Sequence, residues 1–327
     1  MILKTRWQDH FHIHRILFLT AFLFTNISGL CQTFNENWDS DKSIREPWVE
    51  EGYKNTISND YSSSGRYSFK SELPAGVPSN PRSEIRFEGT GTVPKFQDQS
   101  TVWQVSFSLY VPRNFKPDPI KESILQLKDI MDPCDQAGGN PPFKIGLEEY
   151  DLNATVRWTD QRCAKELGLK YFGNILKVRP GKWHYFILNV GWDYRKNGDG
   201  FIELYAKVGS RPGANNKVLD YRGPTGYNDN HGHYLKLGIY KWLWKVRKNI
   251  NKSKSAGVRK RVLYYDDIEI RKGKAPTTSN KGPKANAGPD QTVTLPISTL
   301  ELNRLMIRTI ISAVINGLKL QDLLHLH

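Results

Sequence analysis

Between Thr33 and Arg271 the chain is a succession of short runs rich in Val, Ile, Tyr, Phe and Trp, each closed by a cluster of Gly, Pro, Asn or Asp. Examples are "RYSFKSEL", "SEIRFEG", "TVWQVSFSLYV", "WHYFILNVGW", "FIELYAKV", "YLKLGIY" and "VLYYDDIEI". Runs of this length with little helical periodicity bury their apolar sides only by stacking sheet on sheet. The pattern therefore predicts an all-β chain, an antiparallel β-sandwich or jelly roll. "KESILQL" begins like a helix but is assigned to a strand. "DYRKNGDGF" predicts a tight turn, with Asn197 to Gly200 supplying the positive backbone angles a hairpin requires.

The first 31 residues have a different character. Basic residues and histidines precede "ILFLTAFLFTNISGLCQ", which is too short to span a bilayer comfortably and is followed at once by polar sequence. This reads as a secretory signal removed between Gly29 and Gln32. A lipoprotein reading through Cys31 is weaker, because Leu30 stands where a small residue is expected. No other segment has the length and apolarity of a membrane span. Cleavage removes Cys31 and leaves Cys134 and Cys163, which an oxidising compartment allows to pair; a thiol nucleophile is the lesser alternative. No Cys and His cluster has zinc spacing, which argues against a zinc hydrolase.

The body from residue 32 to 273 keeps 38 of the 47 Lys and Arg and 29 of the 33 Asp and Glu, so the positive charge belongs to the folded part. An exported basic domain suggests an anionic extracellular partner such as an acidic polysaccharide. Residues 274–284 read as a linker. "ANAGPDQTVTLP" (285–296) looks like the first strand of a PKD-like module, but the pattern stops after Asn303. Plausible codons for "VINGLKLQDLL", read in the next frame, give a Tyr-Gln-Trp-Thr-Lys type of sequence that suits the next strand of such a module. A frame change after Asn303 is the expectation, which resequencing the gene tests. Residues 285–327 are then an incomplete module.

Three strands carry one apolar and one polar face. In "RSEIR", Arg82, Glu84 and Arg86 oppose Ser83 and Ile85; in "ILQLKD", Ile124, Gln126 and Lys128 share a face opposite Leu125, Leu127 and Asp129. In "YLKLGIYKW", Tyr234, Lys236, Gly238, Tyr240 and Trp242 oppose Leu235, Leu237 and Ile239. In a sandwich the apolar faces meet in the core and the polar faces point outward, which on a curved sheet forms a trough. Aromatic rings stack on sugars, and arginine grips a carboxylate or sulfate bidentately. Glu84 either orients its flanking arginines or is half of a hydrolytic carboxylate pair. No second carboxylate has suitable spacing, and Glu148 and Glu149 would point to opposite faces of a strand, so two-carboxylate hydrolysis is disfavoured.

"RSEIR", "QLK" and "YLKLGIYKW", in this order and followed by "YYDDIEI", resemble the β-jelly-roll polysaccharide lyases, a group that includes alginate lyases, heparin lyase I, glucuronan lyase and ulvan lyase. The resemblance covers residues 33–271. Alginate and heparin lyases of this group usually have a histidine two residues after the glutamine. Lys128 holds that place here, which is most similar to the ulvan lyases, whose catalytic pair is a lysine and a tyrosine. The resemblance also implies a structural calcium ion, for which Asp39, Asp266 and Asp267 are candidate oxygen ligands.

The chemistry can be derived independently. A lyase removes the C5 proton of a uronate and expels the sugar oxygen on C4, so the site must neutralise the carboxylate, supply a base and protonate the leaving oxygen. Gln126 and an arginine suit the first task; Arg82, Arg86 and Arg222, the last in "DYRGPTGYNDNHGHY", are the candidates. Lys128 suits the base if burial and positive neighbours lower its pKa from about 10.4 toward neutrality. Tyr240 suits the acid, although a tyrosine could perform both transfers. His231 and His233 read as surface or substrate-contact residues. Lys236, Trp242, Trp244 and the basic stretch after Tyr240 would favour a sulfated polymer; a solvated hairpin tip is the plainer alternative. Basic residues interleaved with aromatics can also bind nucleic acid, which export and the absence of a nucleic-acid motif argue against.

The expectation is a secreted, endo-acting, monomeric lyase acting on a sulfated, uronate-containing polysaccharide, ulvan first, with no organic cofactor and no membrane or nucleic-acid partner. The alternatives are a glucuronan or heparin-like glycosaminoglycan lyase, or a non-catalytic carbohydrate-binding module.

Overall fold

The structure is a computed structural model. It describes residues 33–39, 48–53, 55–76, 79–87, 102–130, 132–134, 139–229 and 232–273. The expected signal segment, linker and PKD-like tail lie outside these residues, as does His231.

The described residues form two sheets. Sheet I runs in the order β13 (Lys217–Arg222), β12 (Phe201–Val208), β11 (Lys182–Gly191), β6 (Val102–Val111), β16 (Lys260–Lys272), β4 (Ser68–Pro74), β3 (Asn55–Ser58), with β1 (Thr33–Glu36) also on β16. Sheet II runs β10 (Gly168–Lys177), β9 (Asp151–Thr159), β8 (Phe143–Glu148), β7 (Glu122–Asp129), β15 (His233–Tyr240), β5 (Arg82–Phe87), β2 (Trp48–Gly52), with β14 (Gly226–Tyr227) alongside β9. All pairings are antiparallel except β14 with β9. This is the expected all-β sandwich, and "SILQL" is strand.

Alternation builds the core. Ile85, Phe87, Leu125, Leu127, Leu235, Leu237 and Ile239 of sheet II are fully buried against Phe69, Leu109, Leu188 and Tyr265 of sheet I. Phe107 stacks on Phe186 at 4.7 Å within this layer.

The ladder of β7 with β15 is irregular, with a register shift between Leu237 and Tyr240, and that of β7 with β8 shifts between Ser123 and Leu125. Bulges of this kind leave carbonyls off the ladder. Tyr265 reaches across the core, its Oη 3.0 Å from both the Ile124 and the Gly238 carbonyls, and can donate to either. Ile124 is itself fully buried rather than sharing the outer face with Gln126.

One expectation about glycine is corrected. Neither Gly198 nor Gly200 has a positive φ. They are required because a Cβ would lie 2.3 Å from the Asp193 carboxyl carbon and 2.4 Å from Thr225 Oγ1. Gly238, at φ +134°, is required by its own fold, since a Cβ there would lie 2.2 Å from the Ser83 carbonyl oxygen of β5.

A disulfide joins Cys134, after β7, to Cys163, after β9, and beside it Arg162 pairs with Asp132 at 2.9 Å. Among the described residues no helix is long and apolar enough to cross a membrane.

Candidate active site

The three motif strands are neighbours in the order β7, β15, β5. Parity turns their polar side chains to the outer face of sheet II, and register sets them in rows. One row crosses six strands: Arg86 on β5, Lys236 on β15, Gln126 on β7, Lys144 on β8, Thr155 on β9 and Tyr171 on β10. In the next row out, Lys128 faces Tyr234. At the far end of β15, Tyr240 faces Arg82 on one side and Ser123 on the other, and Gly238 faces Glu84.

The floor of this face is buried. Glu84, Gln126 and Lys236 are each at most 4% exposed. Gln126 Nε2 donates to Glu84 Oε1 at 2.5 Å, and Arg82 approaches Glu84 Oε2 at 3.6 Å. Arg82 also donates to Asn80 at 2.7 Å and lies over the Tyr240 ring at 4.2 Å. Glu84 thus orients one arginine and the catalytic-candidate amide, and Arg82 in turn orients Tyr240.

Lys128 pairs with the buried Asp129 at 2.6 Å. Burial pulls its pKa below the ordinary lysine value, Asp129 opposes that, and the positive charges of Lys236 and Arg82 add to the lowering. Lys128 and Tyr240 mark the two ends of the β7–β15 ladder. Their register positions are five residues of β7 apart, roughly 17 Å by strand rise, so both side chains must lean toward the middle to meet one sugar.

Other candidates fall elsewhere. Arg222 belongs to β13 at the edge of sheet I, where it pairs with Glu203 and, at 3.0 Å, with Asp220; it does not close over the face carrying Lys128, because pairing with β12 holds it on the opposite sheet. Trp244 is buried and donates to Ser253 at 2.8 Å, so it offers no stacking surface. The basic stretch is not a hairpin tip but a 3₁₀ turn (Trp242–Lys245) followed by α1 (Arg247–Ser255). Trp242 remains half-buried, with Lys144 Nζ 4.1 Å from its ring centre. His233 opens β15 on its core side, stacked on Trp192 at 4.0 Å, and burial lowers its pKa to about 3.

Asp39 accepts the Arg66 and Tyr67 amides at 2.7 and 3.0 Å, and Asp266 accepts those of Ser63 and Ser64 at 2.7 and 3.2 Å. Asp267 accepts hydroxyl hydrogen bonds from Ser64 and Ser108. Among the described residues no group of three or more His, Cys, Asp or Glu could hold a metal ion.

Lys144 and Arg157 were missed from the sequence, although the same signal carries them. "FKIGLE" alternates buried Phe143, Ile145 and Leu147 with Lys144, Gly146 and Glu148, and "LNATVRW" alternates Leu152, Ala154 and Val156 with Asn153, Thr155 and Arg157.

Residues 31–269 match the family model described as "Polysaccharide lyase". No curated protein matches the chain. Among solved structures, the chain is similar to an endo-β-1,4-glucuronan lyase of Trichoderma reesei, with 15% identity, TM-score 0.58, and coverage of 73% of this chain and 95% of that one. Two alginate lyases also match. That of Aplysia kurodai has 13% identity, TM-score 0.46, and coverage of 70% and 91%; that of Pseudomonas aeruginosa has 14%, 0.41, and 63% and 83%. At 15% identity the likeness to the Trichoderma enzyme is one of fold.

Proposed function

The chain belongs to the polysaccharide lyase family, and from that premise we propose that it is a secreted, endo-acting lyase that cleaves ulvan, a sulfated uronate polymer, by β-elimination. One observation carries the reading: a buried Glu84–Gln126 pair and a lysine of lowered pKa share the outer face of sheet II.

With one N–H of its amide committed to Glu84, Gln126 keeps the other for a substrate oxygen. Arg86 and Lys236, beside it in the row, add positive charge where the uronate carboxylate would lie. Neutralising that carboxylate makes the C5 proton removable. Lys128, as the neutral amine, takes it. The electron pair left on C5 forms the C4–C5 double bond, and the C4–O bond breaks. The leaving oxygen accepts a proton from Tyr240, giving an unsaturated uronate at the new non-reducing end. The disulfide fits export, and the enzyme acts as a monomer without an organic cofactor; among the described residues a structural calcium ion would find at most two carboxylates here, Asp39 and Asp266, and would need backbone carbonyls and water for its other ligands.

Glucuronan is the second substrate to test, because the Trichoderma neighbour acts on it. The test is ultraviolet absorbance of unsaturated product from ulvan, glucuronan, heparin and alginate in parallel. A rise with ulvan alone supports the proposal; a flat trace on all four with binding retained replaces it with a binding module. Tyr240→Phe and Tyr234→Phe then locate the acid. Loss only in the former keeps Tyr240, and loss only in the latter moves the role to the residue facing Lys128.

A further inference from the structure

Most buried or half-buried cations of the domain are matched to acids. Lys241 meets Asp118 and Glu122, Arg261 meets Glu122, Lys128 meets Asp129, and Lys70 meets Asp60. Lys144 and Arg157 break the pattern. Both are half-buried, and among the described residues neither has a carboxylate partner. Arg157 donates to the Pro141 carbonyl at 3.0 Å, and Lys144 faces the Trp242 ring.

Holding two cations partly out of water without a counter-charge opposes folding. Their placement is the second observation. Lys144 faces Thr155 in register, which sets Arg157 two residues along β9 and roughly 7–8 Å away on the diagonal. Lys144 also faces Gln126, which sets Lys128 at the same diagonal on the other side. The two cations therefore stand one and two strands beyond the candidate base, and strands are about 4.8 Å apart, comparable to the advance of a sugar chain per residue.

We propose that Lys144 and Arg157, walled by Trp242, form an anion subsite that takes the sulfate ester of the sugar next to the uronate being cleaved. The subsite rests on the lyase reading above. A guanidinium fork and a point charge together suit a tetrahedral oxyanion, and the indole gives the sugar an apolar wall. Burial, with the positive charges of Arg157 and Lys121, lowers the Lys144 pKa to about 8, so a bound anion also relieves that stress.

The experiment compares Lys144→Ala, Arg157→Ala and the double variant with the full chain on ulvan and on chemically desulfated ulvan. Turnover is followed by absorbance and affinity by calorimetry. The expected result is a KM on ulvan raised about tenfold in each single variant with kcat within threefold, a penalty at least five times larger than on the desulfated polymer, and recovery in Lys144→Arg. Inorganic sulfate should inhibit the wild type competitively and the double variant much more weakly. An equal penalty on both polymers would assign the pair to uronate carboxylates or to the general field and overturn the proposal, as would no penalty at all. If the wild type produces no unsaturated product, the lyase reading fails, yet an affinity difference between the two polymers that the double variant abolishes would keep the subsite.

Discussion

Gln126 Nε2 donates to Glu84 Oε1 at 2.5 Å across the top of a strand that lies between them. The bridge is possible because the intervening β15 presents Gly238 opposite Glu84, so no side chain separates the amide from the carboxylate. Glu84→Gln keeps the shape and removes the charge that holds Gln126 and Arg82. It should lower kcat by roughly 10–100-fold with little change in melting temperature, as expected when a group that positions a reacting residue is weakened. Unchanged kcat would show that the bridge serves folding alone.

A lysine base works only when neutral. Below the pKa of Lys128 the active fraction falls about tenfold per pH unit, so kcat/KM should rise with pH along a limb set by a lysine below its ordinary value. Lys128→Ala should lose the limb and roughly 10²–10⁴-fold of the rate while retaining polymer affinity. A rising limb that persists in this variant would assign the base elsewhere.

Gly238→Ala introduces a Cβ 2.2 Å from the Ser83 carbonyl at a backbone angle that favours glycine. The cost should be roughly 3 kcal/mol or more from clash and strain together. Urea unfolding measures it, and a midpoint equal to the wild type's would contradict the crowding.

Lys241 is fully buried with Asp118 and Glu122 at 3.0 and 3.1 Å, and Arg261 completes the group on Glu122. Lys241→Met leaves two buried carboxylates with one cation, which should cost roughly 3–5 kcal/mol. Because Lys241 follows Tyr240 directly, the variant should also raise KM at temperatures where it remains folded. Thermal unfolding with paired kinetics reads both effects.

His233 is held near pKa 3 against an ordinary 6.5. In the unfolded chain it binds a proton below about 6.5, so the folded state loses stability as pH falls from there toward 3, roughly 3–5 kcal/mol in all. Asp266, raised by burial to about 7, works in the opposite direction over much of that window. The comparison between wild type and His233→Phe isolates the histidine. The phenylalanine keeps the stack on Trp192 and should move the acid-unfolding midpoint to lower pH; identical acid profiles would refute the assignment.

The two-layer β architecture was legible from alternation, because alternation is a local property: Leu235, Leu237 and Ile239 had to face inward together wherever their strand was placed. The same logic marked Arg82, Glu84, Gln126, Lys128, Lys236 and Tyr240 as outward-facing residues, and the structure sets their three strands side by side. Local pattern did not reveal partners. That Gly238 yields to Ser83, that Tyr265 serves the carbonyls of a bulge, that Arg222 belongs to the opposite sheet and that Trp244 is buried all depend on which strand lies beside which. Strand order and register are set by summed packing over residues far apart in the chain, so only the tertiary structure decided how Gln126 came to rest between Lys236 and Lys144 and within reach of Glu84.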